Sequence, residues 1–212
     1  MGFFITGTDT GVGKTVLAAC WMRRFGKGGD LLYWKPVQTG TDDDTATVRK
    51  LSGLPASCFL KEGARLKRPL SPDQAARLEG RRLTLSSLLR PLKGVEKGRS
   101  LLVEGAGGLL VPLNGRELMA DLAARLGFPL LIAARSGLGT LNHTLLTLEA
   151  ARKRGLRVAG VVLIGPLNPA NRRSIERHGR VRVIAELPVL KSFGPYALRS
   201  FSDRRFRPLD LR

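Results

Sequence analysis

Short apolar runs alternate along the chain with longer stretches in which apolar residues recur every three or four positions. The short runs predict strands at residues 3–6, 31–34, 101–103, 129–133, 158–164 and 181–185. The longer stretches predict helices at residues 14–25, 43–51, 85–92, 117–126 and 140–154. Such alternation is typical of parallel strands joined by crossover helices. We therefore expect an α/β fold of three layers, with a mostly parallel sheet flanked by helices.

Residues 52–84 interrupt this alternation with many Pro, Gly and charged residues. We expect an irregular excursion there, of the kind that often covers a binding site. In an open parallel sheet, ligands bind beyond the carboxyl ends of the strands. Candidate functional residues are therefore expected in the segments that follow each predicted strand.

The first such segment, GTDTGVGKT at residues 7–15, has the order of elements that phosphate binding requires. A strand leads into a glycine-rich turn whose free amides open a helix, and the helix dipole attracts anions. The strict P-loop pattern would place glycine at Thr8, whereas the chain has Gly7 and Gly11. An ordinary strand-to-helix turn is the alternative, but the order of elements favours a P-loop NTPase-like fold. The residues predicted to hold the nucleotide are Gly11, Val12, Gly13, Lys14, Thr15 and Val16.

The segment after the second predicted strand, KPVQTG, begins with Lys35. A lysine at this strand end would point into the same crevice as the phosphate loop, although a surface lysine is the more common explanation of a single one. Three aspartates follow, Asp42, Asp43 and Asp44. They are either caps of the next helix or a ligand of Mg²⁺ beside the nucleotide.

The segment VEGAGGLLVPLN places Glu104 at the carboxyl end of the third predicted strand, before several glycines that allow a ligand close to the backbone. A carboxylate there has the role of a second acid that binds Mg²⁺ or orients its waters. A glycine-rich turn with a solvated glutamate is the alternative. We favour the functional interpretation, because strand ends carrying Lys, Asp and Glu would converge on one crevice.

The segment GLGTLNHTLLT at residues 137–147 opens the long helix after the fourth predicted strand. Its free amides are suited to a second anion, such as a substrate carboxylate. Asn142 and His143 are equally well explained as a cap and an ordinary helix residue.

The composition gives broader expectations. The 212 residues suit one domain, residues 1–212. The formal charge is +19, but the basic residues are spread along the chain, so we expect no nucleic-acid partner. No apolar run approaches the roughly 20 residues that span a bilayer, so we expect a cytoplasmic protein without a membrane partner. Cys20 and Cys58 belong to no metal-spaced cluster.

Taken together, these segments resemble the dethiobiotin synthetase family, the ATP-dependent ligases of biotin biosynthesis. The matching pieces occur in family order: FITGTDTGVGKT, KPVQTG, the acid at Asp44, SPDQAARLEG, VEGAGGLLVPL, GLGTLNHTLLT and ELPVL. The variant loop that begins GTDT is itself a family feature. The resemblance spans residues 3–190.

The resemblance implies that 7,8-diaminononanoate (7,8-diaminopelargonate) takes up CO₂ on one amine as a carbamate. ATP then phosphorylates the carbamate, and the neighbouring amine attacks this carbamic-phosphoric anhydride. Ring closure gives dethiobiotin, ADP and phosphate. Phosphoryl transfer requires mainly positioning and charge neutralisation, which agrees with the lack of an evident side-chain nucleophile.

The resemblance also implies roles for individual residues. Lys14 and Lys35 would be catalytic, and Mg²⁺ would lie at Thr15, Asp44 and Glu104. Further nucleotide contacts would come from Gly105, Ala106, Gly107, Pro188, Val189 and Leu190. The substrate would contact Thr39, Ser71, Leu141 and Asn142, the last two from the partner subunit of a homodimer. Relatives commonly carry an Asn that reads adenine where this chain has Ile164, which leaves the nucleotide preference open.

Two alternatives are compatible with a phosphate loop. An amidating ligase of the cobyrinate type would need a glutamine-hydrolysing domain with a nucleophilic Cys, for which neither Cys20 nor Cys58 has a suitable context. A partitioning or positioning ATPase would usually carry an extra lysine near the start of the loop, where this chain has Thr8, Asp9 and Thr10.

Overall fold

The computed structural model describes residues 2–96 and 98–187. The strands in this part of the chain are β1 (Gly2–Gly7), β2 (Leu31–Trp34), β3 (Val37–Thr39), β4 (Ala64–Leu66), β5 (Ser100–Gly108), β6 (Leu130–Arg135), β7 (Val158–Ile164) and β8 (Val183–Leu187). The main sheet is parallel throughout and has the order β2-β5-β1-β6-β7-β8. Strands β3 and β4 form a separate parallel pair.

Helices cover both faces of the main sheet. They are α1 (Lys14–Phe25), α2 (Asp44–Ser52), α3 (Pro72–Leu78), α4 (Leu85–Leu88), α5 (Met119–Leu126), α6 (Thr140–Lys153) and α7 (Pro169–Gly179). Alternate strand residues point to opposite faces, so Ile5 packs in the core with residues of α1 and α2, and Phe4 packs in the core with residues of α3, α5 and α6. Burial on both faces explains why these strands are continuous apolar runs. The expected three-layer α/β fold is confirmed.

Several predicted boundaries are wrong for identifiable reasons. The helix expected at 85–92 ends at Leu88 and continues as a 3₁₀ turn at Arg90–Gly94, because Pro91 cannot donate the amide bond of a continuous helix. The helix expected from residue 117 begins at Met119, where the Asp121 carboxylate accepts from the Leu118 amide at 2.7 Å. The last strand begins two residues later than expected, after Arg180 ends α7 in the left-handed conformation.

The excursion expected at residues 52–84 is partly regular. It contains β4 and α3, both shorter than the windows that reveal periodicity. Helix α7 is absent from the prediction although its start carries two standard signals. The Asn168 side chain accepts from the Asn171 amide at 3.0 Å, and Pro169 occupies the first helical position.

Candidate active site

The carboxyl ends of the central strands meet at one cavity of about 390 Å³. Strand β1 lies between β5 and β6, with Ile5 opposite Glu104 and Gly7 opposite Ala133. The phosphate loop, residues 7–15, therefore begins beside Glu104. Residues from the loop, from the chain after β2 and from the end of β5 line the cavity.

The phosphate loop leaves the start of α1 open to a ligand. Gly13, the N-cap of α1, has φ 95°, and no side chain caps the first amides of the helix. A Cβ on Gly13 would lie 3.0 Å from Ile164 Cδ1 and Cγ2, so Ile164 closes one side of the loop. Gly11 also has positive φ, 68°. This geometry suits backbone binding of phosphate oxygens.

Lys14 points along the phosphate loop and is largely buried. Its ammonium donates to the Asp9 carbonyl oxygen at 3.1 Å. Burial and, secondly, the nearby positive charge of Lys35 lower the pKa of Lys14 to about 8, although the carboxylates of Glu104 and Asp44 oppose the change. Bound phosphate would favour the charged form of Lys14.

Four side chains, Thr15, Lys35, Asp44 and Glu104, form what we call the carboxylate cluster. The Thr15 hydroxyl lies 3.0 Å from Asp44 Oδ1 and 3.0 Å from Glu104 Oε1. The Lys35 ammonium lies 2.5 Å from Asp44 Oδ2 and 3.0 Å from Glu104 Oε1. One hydroxyl and one ammonium therefore bridge two carboxylates that come from different parts of the chain.

The opposite charges in the carboxylate cluster stabilise one another. Burial disfavours the Lys35 ammonium, but the carboxylates of Glu104 and Asp44 outweigh burial and raise the pKa of Lys35. Burial likewise disfavours the Asp44 carboxylate, but Lys35 and the Thr15 hydroxyl outweigh it and lower the pKa of Asp44. Lys35 is therefore a fixed positive charge and unsuited to act as a general base near neutral pH.

The oxygen atoms of the carboxylate cluster fit Mg²⁺ that arrives with a nucleotide. Mg²⁺ beside phosphates is usually held by one or two carboxylates, with waters and phosphate oxygens completing its coordination. Thr15, Asp44 and Glu104 supply a hydroxyl and two carboxylates within hydrogen-bonding distance of one another. Residues 2–96 and 98–187 contain no group of three or more His, Cys, Asp or Glu side chains that could hold a metal ion. The waters and phosphate oxygens would therefore have to complete the coordination.

Most residues predicted to contact the nucleotide lie at this cavity. Its lining includes Gly11, Gly13, Lys14, Thr15, Val16, Asp44, Glu104, Ala106 and Gly107. Val12 is instead buried in the apolar core. The Gly105 carbonyl accepts from Lys35 at 3.4 Å. Pro188, Val189 and Leu190 lie outside the described residues.

Only one of the four residues predicted to contact the substrate lines the cavity. Thr39 lines the cavity. Ser71 is the N-cap residue of α3, Leu141 is half-buried against the core, and Asn142 is exposed on α6. None of these three belongs to the described lining of the cavity. In one copy of the chain these three residues therefore lie outside this cavity, although His143 of α6 lines a neighbouring groove with the start of the phosphate loop.

Thr10, Val37 and Gln38 line the cavity but were absent from the predicted set, as was Tyr33, which contacts Glu104. The Gln38 side-chain oxygen accepts from the Asp44 amide at 3.3 Å, and Gln38 lies within the KPVQTG segment, which offered a signal. The Tyr33 hydroxyl donates to Glu104 Oε2 at 2.9 Å. Burial and the negative charge of Glu104 raise the pKa of Tyr33 well above its usual range. Tyr33 belongs to an apolar strand, and no sequence pattern indicates this contact.

A second groove of about 410 Å³ lies on the other side of Thr10. The start of the phosphate loop, the chain after β5 and one face of α6 line it, including Leu110, His143 and Leu146. Leu110 and Leu146 are exposed, and so is Leu138, which precedes α6 in the chain. The groove therefore exposes apolar surface next to the phosphate loop.

Known proteins resemble this chain over most of its length. The ATP-dependent dethiobiotin synthetase BioD of Paramagnetospirillum magneticum is 48% identical over 189 residues, which cover 89% of this chain and 88% of that protein. The chain belongs to the dethiobiotin synthetase family. The family member from Nitrobacter hamburgensis is 47% identical over 202 residues, covering 94% of this chain and 92% of its own length. A family model described as an AAA domain matches residues 1–197.

The family fold is shared with other nucleotide-binding proteins. The ParA family ATPase of Chlorobium tepidum superimposes with a TM-score of 0.58 over 96% of this chain and 97% of that one, at 10% sequence identity. Identity this low shows a common fold and nothing about activity. None of the helices in the described part of the chain is long and apolar enough to cross a bilayer.

Proposed function

We propose that this protein converts 7,8-diaminononanoate, CO₂ and ATP to dethiobiotin, ADP and phosphate. The observation that carries the proposal is the carboxylate cluster beside an open phosphate loop, in a chain of the dethiobiotin synthetase family. A carbamate oxygen attacks the γ-phosphorus, and the bond from that phosphorus to the ADP oxygen breaks. The neighbouring amine then attacks the carbamoyl carbon, phosphate leaves, and the amine loses a proton as the ureido ring closes.

The described side chains supply charge and position for these steps. The amides at the start of α1 and the Lys14 ammonium bind phosphate oxygens. Thr15, Asp44 and Glu104 would hold Mg²⁺, which supplies charge neutralisation on the phosphates when it is bound. Lys35 stays protonated and stabilises negative charge on the carbamate and the transferred phosphoryl group.

We further propose that the protein acts as a homodimer in the cytoplasm, where ATP is available. Leu141 and Asn142 lie away from the described lining of the cavity, so a second copy would have to supply these substrate contacts. Leu110 and Leu146, which line the groove beside the phosphate loop, offer exposed apolar surface for that copy, and Leu138 before α6 is also exposed. Thr39 contacts the diamine or carbamate from within the cavity.

The dependence of ATP hydrolysis on the diamine tests this function. With Mg²⁺, ATP and bicarbonate present, we expect phosphate release to be slow and to rise at least tenfold when 7,8-diaminononanoate is added. A rate of phosphate release that does not change with the diamine but rises with DNA or lipid vesicles would contradict the proposal and favour a positioning ATPase.

A further inference from the structure

The two carboxylate oxygens of Glu104 have different surroundings. Oε1 lies 3.0 Å from the Thr15 hydroxyl and 3.0 Å from the Lys35 ammonium, both of which line the nucleotide cavity. Oε2 accepts a hydrogen bond of 2.9 Å from the Tyr33 hydroxyl, which lies in the core behind the cavity. The carboxylate is therefore held with one oxygen toward the cavity and the other toward the core.

Tyr33 is placed firmly enough to hold this orientation. Strand β2 pairs with β5 through Tyr33 and Leu102, and on its other side the Tyr33 carbonyl accepts from the Leu60 amide at 2.9 Å. The Tyr33 ring is fully buried and packs against Phe59, with ring centroids 5.8 Å apart. The backbone of Tyr33 is paired on both sides and its ring is buried. The Tyr33 hydroxyl therefore has little freedom to move away from Glu104.

The number of carboxylate oxygens offered to a cation distinguishes Mg²⁺ from Ca²⁺. Mg²⁺ requires near-octahedral geometry and keeps several waters, whereas Ca²⁺ takes six to eight oxygens and accepts carboxylates through both oxygens. We propose that Tyr33 is a positioning residue that restricts Glu104 to one oxygen and thereby favours Mg²⁺ over Ca²⁺. The inference rests on the proposed Mg²⁺ site at Thr15, Asp44 and Glu104.

Tyr33→Phe removes only the hydroxyl and so tests the proposal directly. The dissociation constants of Mg²⁺ and Ca²⁺ are measured calorimetrically on the full-length protein saturated with the non-hydrolysable analogue AMPPCP. Loss of groups that orient metal ligands typically weakens metal binding about 10- to 100-fold. We expect Mg²⁺ binding to weaken about tenfold and Ca²⁺ binding to weaken less, so that the preference for Mg²⁺ narrows.

Trp34→Phe is the matched control. Trp34 is the next residue of β2, points to the opposite core, and donates its indole N–H to the Lys61 carbonyl at 3.1 Å. This variant also loses one hydrogen bond from β2, but not one to Glu104, and its Mg²⁺ to Ca²⁺ affinity ratio should equal that of the wild type. The melting temperature of each variant reports whether it is folded.

The outcomes separate this inference from the proposed function. Unchanged affinities in Tyr33→Phe, or an equal loss for both ions, would overturn the role of Tyr33 in selectivity while leaving the reaction untouched. Wild-type protein that binds AMPPCP with no dependence on Mg²⁺ would overturn the proposed metal site itself.

A second measurement needs no substitution at position 33. The chain has two tyrosines, so 3-fluorotyrosine labelling with Tyr196→Phe leaves one fluorine signal, from residue 33. Because Tyr33 stays bound to Glu104, we expect only a small change in that signal when AMPPCP binds with Mg²⁺ or with Ca²⁺. A large change with Mg²⁺, as expected if the Tyr33 hydroxyl leaves Glu104, would overturn the inference.

Discussion

The two lysines of the nucleotide-binding cavity differ in what surrounds their ammonium groups. Lys35 lies within 3.0 Å of two carboxylates, which raise its pKa against the effect of burial. Lys14 has a carbonyl oxygen as its close partner, and burial lowers its pKa to about 8. Bound phosphate would therefore stabilise the charged form of Lys14 more than that of Lys35, which is already fully charged.

Lys35→Ala should reduce kcat about 100-fold or more, the usual cost of removing one group that stabilises charge in a transition state. The substitution also leaves Asp44 and Glu104 facing each other without their cation, so the melting temperature should fall. Because Mg²⁺ can replace the lost charge, adding Mg²⁺ with AMPPCP should recover part of that fall. Steady-state product formation and thermal melting measure the two effects.

Lys50→Ala is the control for this change, because Lys50 is exposed on α2, which also carries Asp44. Its kcat and melting temperature should match those of the wild type. A Lys35→Ala variant with wild-type turnover would remove Lys35 from the mechanism.

Individual site residues were predictable where a strand end coincided with a polar side chain. Lys35 and Glu104 each follow an apolar run, although β5 continues past Glu104 to Gly108 and Glu104 is not at the strand end that was predicted. The parallel sheet still brings both residues to one cavity. Tyr33 was not predictable, because a tyrosine inside an apolar run is normally core and its hydroxyl partner depends on packing across the sheet. The roles assigned to these residues stay predictions.

At the scale of elements, the start of α1 is the segment proposed to hold the nucleotide. Gly13 has a left-handed backbone at the point where the loop becomes a helix, and a side chain there would press on Ile164. The free amides of α1 follow directly. Changes at Gly13 should therefore affect nucleotide binding as well as stability.

Gly13→Ala should destabilise the protein by about 1–2 kcal/mol, from the left-handed backbone alone, and weaken ATP binding at least tenfold. Gly29→Ala is the control, because Gly29 has φ 78° but open space around its Cβ position and lies in the turn before β2. It should lose similar stability and keep wild-type ATP affinity. Urea unfolding and nucleotide titration measure both. Equal ATP affinity in the two variants would contradict this account of the loop.

Helix α1 also buries Cys20, and burial raises the pKa of its thiol from 9.0 to about 12. In the unfolded chain this thiol ionises from about pH 9, so its contribution to stability is complete below pH 9 and is lost as the pH rises toward 12. In a Cys58→Ser background, we expect Cys20 to react with Ellman's reagent at pH 9 only after unfolding in urea. Rapid reaction of the native protein would contradict the burial of Cys20.

The elements themselves were predictable to the extent that their apolar period was long. The strands of the main sheet and α1 were found because each is a continuous or strongly periodic apolar segment. Strands β3 and β4 have three residues each, too few to show a period. Helix α7 is dominated by polar and charged residues, and its start signals alone did not identify it.

At the scale of the whole molecule, apolar surface is exposed beside the candidate active site. Leu110 and Leu146 are 47% and 55% exposed and line the same groove. Burying such groups in a homodimer would stabilise it by the hydrophobic effect. A single domain covering residues 1–212 also stays a prediction at this scale.

Leu146→Glu should weaken the proposed homodimer, because it places a charge in an apolar interface. We expect dimeric wild-type protein in sedimentation velocity, a larger monomer fraction for the variant, and a raised KM for the diamine. Leu167→Glu, at a leucine 56% exposed before α7, is the control and should remain dimeric. A monomeric wild-type enzyme with full activity would contradict the homodimer.

The central claim is that one cavity at the phosphate loop uses ATP to join CO₂ to a diamine and close a ring. Its most direct test is mass spectrometry of the product formed from 7,8-diaminononanoate, Mg²⁺, ATP and carbon-13 bicarbonate. We predict dethiobiotin that carries one carbon-13 atom in its ureido carbonyl, formed together with one phosphate per ring. No labelled cyclic urea with all reactants present would contradict the account.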